Sequence, residues 1–175
     1  MKILDIGCGP GDFLHYLQDV EYVGFDNNAA YIREAERRYG HRATFLVRDL
    51  RRVKSLPRGP FDIVLAKGLI HHLSDQEALH LLALARRHLK PGGRFVCLEG
   101  VYTKQQGFWA RYFVSRDRGR HVRTLAGYRA LLRSVFRGVK TFVYDGILRF
   151  PYTLLVIEAT GKAEKQAGRA QACCG

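Results

Sequence analysis

The sequence predicts an α/β fold, a doubly wound, mostly parallel sheet covered by helices on both faces. Three observations predict it. Short, continuously apolar runs alternate with segments of helical period along most of the chain. The runs are apolar on both faces, as buried parallel strands are. Finally, "ILDIGCGPGDF" (residues 3–13) sets three glycines on alternate positions where the first run ends. That is a strand-to-helix turn of the kind that meets a ligand at the carboxyl edge of such a sheet.

The elements follow in order. Residues 2–6 form the first strand, too short and too abruptly ended for a helix, and 11–19 read as a helix. "EYVGFD" (21–26) is the second strand, and "NAAYIREAERRYG" (28–40) a helix stopped by Gly40. "ATFLVRD" (43–49) is the third strand, followed by a polar loop with Pro57, Gly59 and Pro60. "FDIVLAK" (61–67) is the fourth. Residues 74–93 read as a helix with Ser74 as N-cap, Glu77 completing a capping box, and Pro91-Gly92-Gly93 ending it. "RFVCLEG" (94–100) is the fifth strand, and 124–136 a helix capped by Thr124. Two last strands, about 139–145 and 152–159, face each other across "GILRFP". With no repeat and no linker, the expectation is one domain over residues 1–160 and a frayed polar tail over 161–175.

Composition excludes several classes. The 175 residues are 47% hydrophobic, yet no run of eighteen apolar residues occurs, so no spanning helix is expected. The first residues already read as a strand and a polar turn, so no signal peptide is expected. Cys8, Cys97, Cys173 and Cys174 have neither a disulfide framework nor metal-ligand spacing, so no metal and a reducing cytoplasm are expected. The net charge is +13, from 29 Lys and Arg against 16 Asp and Glu, and it is uneven. Residues 111–140 hold eight arginines and Lys140, with Asp117 the only acid. This points to an anionic partner: nucleic acid, a phosphate-bearing metabolite or an acidic surface. A merely solvated basic surface is the plain alternative.

Gly7, Gly9 and Gly11 allow positive φ and close approach of a ligand. Their GxGxG spacing differs from the GxGxxG of dinucleotide sites, and the acids around them discriminate further. Asp5, at the first strand end, would neutralise a ligand ammonium. Asp26, ending the second strand, suits two ribose hydroxyls. Asp49, ending the third, would accept an exocyclic adenine amino group. One ligand explains all three: S-adenosylmethionine. Asp5 as a cap of the glycine turn, Asp49 as a turn residue and Cys8 as a small filler are the structural alternatives.

The same residues carry a resemblance. "LDIGCGPG", "VGFD", "VRDL", "FDIVLAKGLIHHL" and "LKPGGRFVCLEG" are similar, in order and interval, to the class I, Rossmann-like S-adenosylmethionine-dependent methyltransferases. The resemblance runs from residue 3 to about 159. It implies a seven-stranded sheet with the last strand antiparallel. It also implies that Asp5, Gly7, Cys8, Gly9 and Gly11 surround the methionine part of the cofactor. Asp26 would hold the ribose, Asn27 and Leu50 would flank the adenine, and Asp49 would bond its amino group. The backbone around Lys67 would face the cofactor's amino end, with His72 beside it. Because the sequence starts at the first strand, the cover helices that many relatives place before it are not expected. The covering of substrate is then expected from residues 101–123 or from a partner subunit such as the second copy of a homodimer, the alternative being an open site that admits a large substrate.

For the acceptor, His71 and His72 follow the fourth strand beside the expected methyl position, and Glu99 and Tyr102 follow the fifth. These four are the catalytic candidates, as a base or as groups that orient the acceptor. Cys97 lies outside any Pro-Cys pair, against cytosine-C5 chemistry, and "AKGL" after the fourth strand disfavours base N-methylation. Segment 101–123 groups Phe108, Trp109, Tyr112 and Phe113 before Arg116, Arg118, Arg120 and Arg123. It is expected to act as a lid, with Trp109, Arg118 and Arg123 engaging an anionic acceptor. A helix on the sheet edge with a solvated basic loop is its alternative. The reading is methyl transfer to a small molecule through oxygen or carbon. RNA methylation and a catalytically silent cofactor-binding subunit remain open alternatives.

Overall fold

The computed structural model describes residues 1–53, 59–116 and 119–161. Seven strands form one sheet in the order β3-β2-β1-β4-β5-β7-β6. They are β1 (Lys2–Ile6), β2 (Glu21–Asp26), β3 (Ala43–Val47), β4 (Phe61–Lys67), β5 (Leu89–Gly100), β6 (Gly138–Tyr144) and β7 (Leu154–Thr160). The first five pair in parallel, and β7 lies antiparallel to both β5 and β6. The seven strands, their mixed direction and the final hairpin are those the sequence predicts.

Pleating divides the apolar residues between two faces. Leu4, Ile6, Val23, Phe25, Val64, Ala66, Phe95 and Cys97 join one core beneath α2 (Asp75–His88) and α4 (Leu125–Arg133). Ile3, Tyr22, Phe45 and Leu65 join the other, beneath α1 (Ala29–Tyr39). Each helix starts on a local signal. Asn28 caps α1 by accepting from Ala30 N at 2.9 Å. Ser74 and Glu77 form the predicted capping box of α2. Thr124 accepts from Gly127 N at the start of α4.

Three elements differ from expectation. The helix over 11–19 is a single 3₁₀ turn, Asp12–Tyr16, because Leu17 is already extended. The helix expected over 74–93 ends at His88, and residues 89–93 join β5. Gly40 ends α1, but at φ −60° rather than in a left-handed conformation. The connection 101–123 contains a helix, α3 (Phe108–Ser115). Of the expected tail, residues 162–175 lie outside the described residues, as do Cys173 and Cys174.

Because β1 to β5 are parallel, Ile6, Asp26, Val47, Lys67 and Gly100 end at one edge of the sheet. The strand order reverses between β1 and β4, so the crevice of a doubly wound sheet falls there.

Candidate active site

The glycine turn closes that crevice from below. Gly7 N and Cys8 N both donate to Phe25 O, at 2.8 and 3.0 Å, which ties the turn to β2. Gly7, Gly9 and Gly11 all have positive φ, at 72°, 56° and 77°. They serve different ends. A methyl group added at Gly9 would meet nothing within 4 Å, so this residue leaves open space in front of the backbone. One added at Gly11 would press on the rings of Phe45 and Tyr39 at 3.3 Å, so Gly11 answers to packing.

Above the turn lies a cavity of about 570 Å³, lined by Gly7, Gly9, Asp26, Asn27, Asp49, Leu50, Lys67 and His72 among others. These eight are sequence candidates that the fold brings together. Asp26 is fixed by two backbone donors: Gly9 N to Oδ2 at 3.0 Å and Asn28 N to Oδ1 at 2.9 Å. Each carboxylate oxygen keeps a further lone pair for a ligand hydroxyl. Asp49 is held by Arg51, whose Nε and Nη2 donate to its two oxygens at 3.0 Å each. That guanidinium, with the Arg51 backbone N–H, holds the Asp49 carboxyl below its ordinary range.

Asp5, Cys8 and Gly11 do not line this cavity. Asp5 is wholly buried, because the β1 pleat turns it to the α1 face with Ile3. There its Oδ2 accepts from Tyr22 Oη at 2.5 Å and from Lys67 Nζ. The ammonium expected opposite Asp5 from a ligand is therefore supplied by the protein's own Lys67. Lys67 in turn brings a side chain to the cavity, where the sequence assigns it only a backbone. Burial pushes the Cys8 thiol up, and Asp5 and Asp26 push it further, so it stays protonated.

The four catalytic candidates separate. Only His72 lines the cavity. His71 and Glu99 are buried beneath it. Glu99 accepts from Leu69 N, Ile70 N and His71 N at 3.2, 2.8 and 3.3 Å, and its Oε2 lies 2.5 Å from His71 Nδ1. It caps the 3₁₀ turn Ile70–His72, and all these bonds are internal. Tyr102 bridges to Thr124 and lines a different cavity.

The expected anion contacts are redistributed as well. All five N–H donors of Arg123 are engaged: two on Asp75 Oδ1, and one each on the carbonyls of Ile70, Leu73 and His121. No donor is left for an acceptor. Trp109 stands on the outer face of α3, and Arg118 lies outside the described residues. Sequence reasoning missed Tyr31, Arg48, Arg51 and Glu77, which also line the cavity. Arg51 carries a readable signal, a base two residues after a strand-end acid, and Tyr31 sits in the first turn of a capped helix. No group of three or more His, Cys, Asp or Glu placed to hold a metal ion occurs among the described residues.

A sheet of this order, with a glycine turn, a carboxylate at the end of β2 and a cavity between them, defines a doubly wound α/β domain with a ligand crevice at its carboxyl edge. Comparison with known proteins gives its family. A model described as "Methyltransferase domain" matches residues 3–93, and the chain belongs to the class I S-adenosylmethionine-dependent methyltransferases. It is 33% identical over 100 residues to the cyclopropane-fatty-acyl-phospholipid synthase of Escherichia coli K12, covering 55% of this chain and 25% of that protein. It is 27% identical over 172 residues to the 3-amino-4-hydroxybenzoate 4-O-methyltransferase of Streptomyces cremeus, covering 90% of this chain and 45% of that one. The chain thus spans less than half the length of these two relatives. A S-adenosylmethionine-dependent methyltransferase of Methanosarcina mazei superposes with a TM-score of 0.71 at 20% identity, covering 93% of each chain, and shares the fold. Among the described residues no helix is long and apolar enough to cross a membrane.

Proposed function

We propose that this methyltransferase acts on a small-molecule acceptor carrying an anionic group, at oxygen or carbon. The observation that carries the cofactor half is the pairing of Gly9, open to the cavity, with Asp26, whose two oxygens are held by backbone N–H groups. The cofactor fits what is there: acceptors for hydroxyls and an amino group at one end, and a cation at the other. Asp26 would receive the ribose hydroxyls and Asp49 the adenine amino group, with Asn27 and Leu50 on the ring. Gly7 and Gly9 give the approach. Lys67, balanced behind by Asp5, would meet the carboxylate of the methionine part. S-adenosylmethionine supplies an electrophilic methyl group. The chain's part is to hold an acceptor in line with it and exclude water. Of the four acceptor candidates His72 alone lines the cavity and would take that task. His71, whose ring centroid lies 4.2 Å from its own, would position it together with Glu99. The anionic acceptor is supported by the surplus of cations after β5, among them Arg120. A curated relative that methylates a hydroxybenzoate supports it too.

Calorimetry and turnover test this together. Asp26→Ala should weaken S-adenosylmethionine binding by about 1.5–3 kcal/mol for each charged hydrogen bond lost, with the fold retained by circular dichroism. Unchanged affinity in the folded variant would remove the ribose from this site. Turnover should appear against a panel of aromatic carboxylates and phosphates. Turnover on RNA alone, with a steep salt dependence, would overturn the small-molecule reading.

A further inference from the structure

Outside the candidate active site, the largest unexplained feature is an apolar surface in a strongly basic part of the chain. On α3, Phe108 and Trp109 are 74% and 63% exposed, with Tyr112 and Phe113 beside them. Phe113 meets Phe150 of the β6–β7 turn at 5.6 Å between ring centroids. That turn adds Ile147, 59% exposed, and Leu148. Contiguous exposed apolar surface of this kind marks a contact with another phase or another molecule.

Next to it lies the second cavity, of about 890 Å³. Its floor includes Tyr102, Leu125 and Ala126, and its charged lining is Lys104, Arg111, Arg129 and Arg133, with no acid. Two of these cations are held in place. Arg129 donates from Nε and Nη2 to Thr141 Oγ1 at 3.0 and 2.5 Å, and Arg111 lies over the Tyr102 ring. Arg111 belongs to α3, so the cavity and the aromatic face share one helix. Across residues 101–152, eleven Lys and Arg stand against two acids, a balance of +9 within the chain's +13.

We propose that this face docks the protein on an anionic lipid bilayer. The rings and the Ile147-Leu148 tip enter the interface, and the basic cavity takes lipid phosphates. Aromatic and aliphatic side chains enter the acyl boundary while arginines and lysines stay with the headgroups. Two other occupants fit less well. A symmetric dimer through the same face would oppose this positive field to itself. Single-stranded nucleic acid would stack bases on the exposed rings but gives the aliphatic Ile147-Leu148 tip nothing to enter. The surface also has a direction. Since β6 runs parallel to β5, the β6–β7 turn and α3 both stand at the carboxyl edge, as the active-site cavity does. Docking therefore turns that edge toward the lipid.

Trp109 is the sole tryptophan, so the unmodified protein reports on its own docking. With vesicles of phosphatidylcholine and phosphatidylglycerol its emission should shift to the blue. It should also be quenched by phosphatidylcholine brominated on the acyl chain. Phosphatidylcholine vesicles alone should bind at least tenfold more weakly. Phe108→Ser with Ile147→Ser should lower vesicle affinity about tenfold or more, and Arg133→Gln about fivefold. No emission change with anionic vesicles overturns the proposal, as does equal binding to neutral ones. It is equally overturned by a Trp109 shift that follows protein concentration without lipid, with a dimer by light scattering. A shift produced by single-stranded RNA and not by vesicles overturns it as well. These readings do not depend on methyl transfer, so they stand or fall apart from it.

Discussion

Arg123 shows how far a residue's position in the sequence can mislead about its use. It sits among alternating arginines after an aromatic cluster, which reads as an anion-binding segment. In the fold its guanidinium is spent on Asp75 and on three backbone carbonyls, and it packs 5.9 Å over the Tyr128 ring. Two of those carbonyls, Ile70 and Leu73, flank the 3₁₀ turn that carries His72, so Arg123 braces the active-site turn from outside. Arg123→Gln should therefore cost about 2–3 kcal/mol in urea unfolding and leave the acceptor's KM nearly unchanged. A variant of unaltered stability with a raised KM would return Arg123 to the substrate. Nothing in the sequence distinguishes an arginine bonded to distant carbonyls from a solvated one, because its partners other than the His121 carbonyl are about fifty residues away. Asp26 and Gly9 were legible for the opposite reason. The end of a strand and a glycine turn define where a residue sits in a parallel sheet before any tertiary contact is known.

At the scale of elements, strands were easier to read than the ends of helices. Each of the seven runs is a strand: burial on both faces gives the central ones an unbroken apolar signature, whereas the edge strand β6 has no buried residue and is held by its pairing with β7. The helix expected over 11–19 failed because apolar spacing does not register that Gly11 is left-handed and that the chain is extended again by Leu17. The Ile70–His72 turn was likewise read from its histidines alone. What holds it is Glu99, thirty residues on, which accepts from its backbone and from His71 Nδ1. A methyl group at Gly119 would run into the His71 ring, so the chain also closes over this turn from outside. Glu99→Gln puts an NH₂ group where only acceptors fit. It should lower stability by about 2–4 kcal/mol, and cofactor affinity should fall with it as His72 loosens. Thermal shift with and without S-adenosylmethionine reads both. If Glu99 were a reacting group, turnover would fall while both melting temperatures stayed put. That result would overturn its structural role.

For the whole molecule, charge is the property that composition stated most plainly and that the fold distributes most unevenly. The chain carries +13 with a sequence pI near 10.0, and +9 of it falls in residues 101–152. Local pairs do exist, Lys67 with Asp5 and Arg123 with Asp75, but they join unlike charges that are already close. The buried Lys67–Asp5 pair is little affected by salt and the more exposed Arg123–Asp75 pair is weakened modestly, whereas repulsion among Lys104, Arg111, Arg129 and Arg133 acts over longer distances through solvent. The screening length falls from about 30 Å at 0.01 M to about 8 Å at 0.15 M salt, so added salt should weaken repulsion more than attraction. Folding compresses these like charges, and screening should favour the folded state. Raising sodium chloride over that range at pH 7 should therefore raise Tm by about 2–5 °C, with chloride used so that exclusion of kosmotropic anions adds nothing. Charge reversal at Arg129 and Arg133 should shrink the rise, since it removes two members of the repelling set. A Tm that falls with salt would mean that the ion pairs outweigh the repulsion. Repulsion within the basic face would then be too small to set the stability of the free protein.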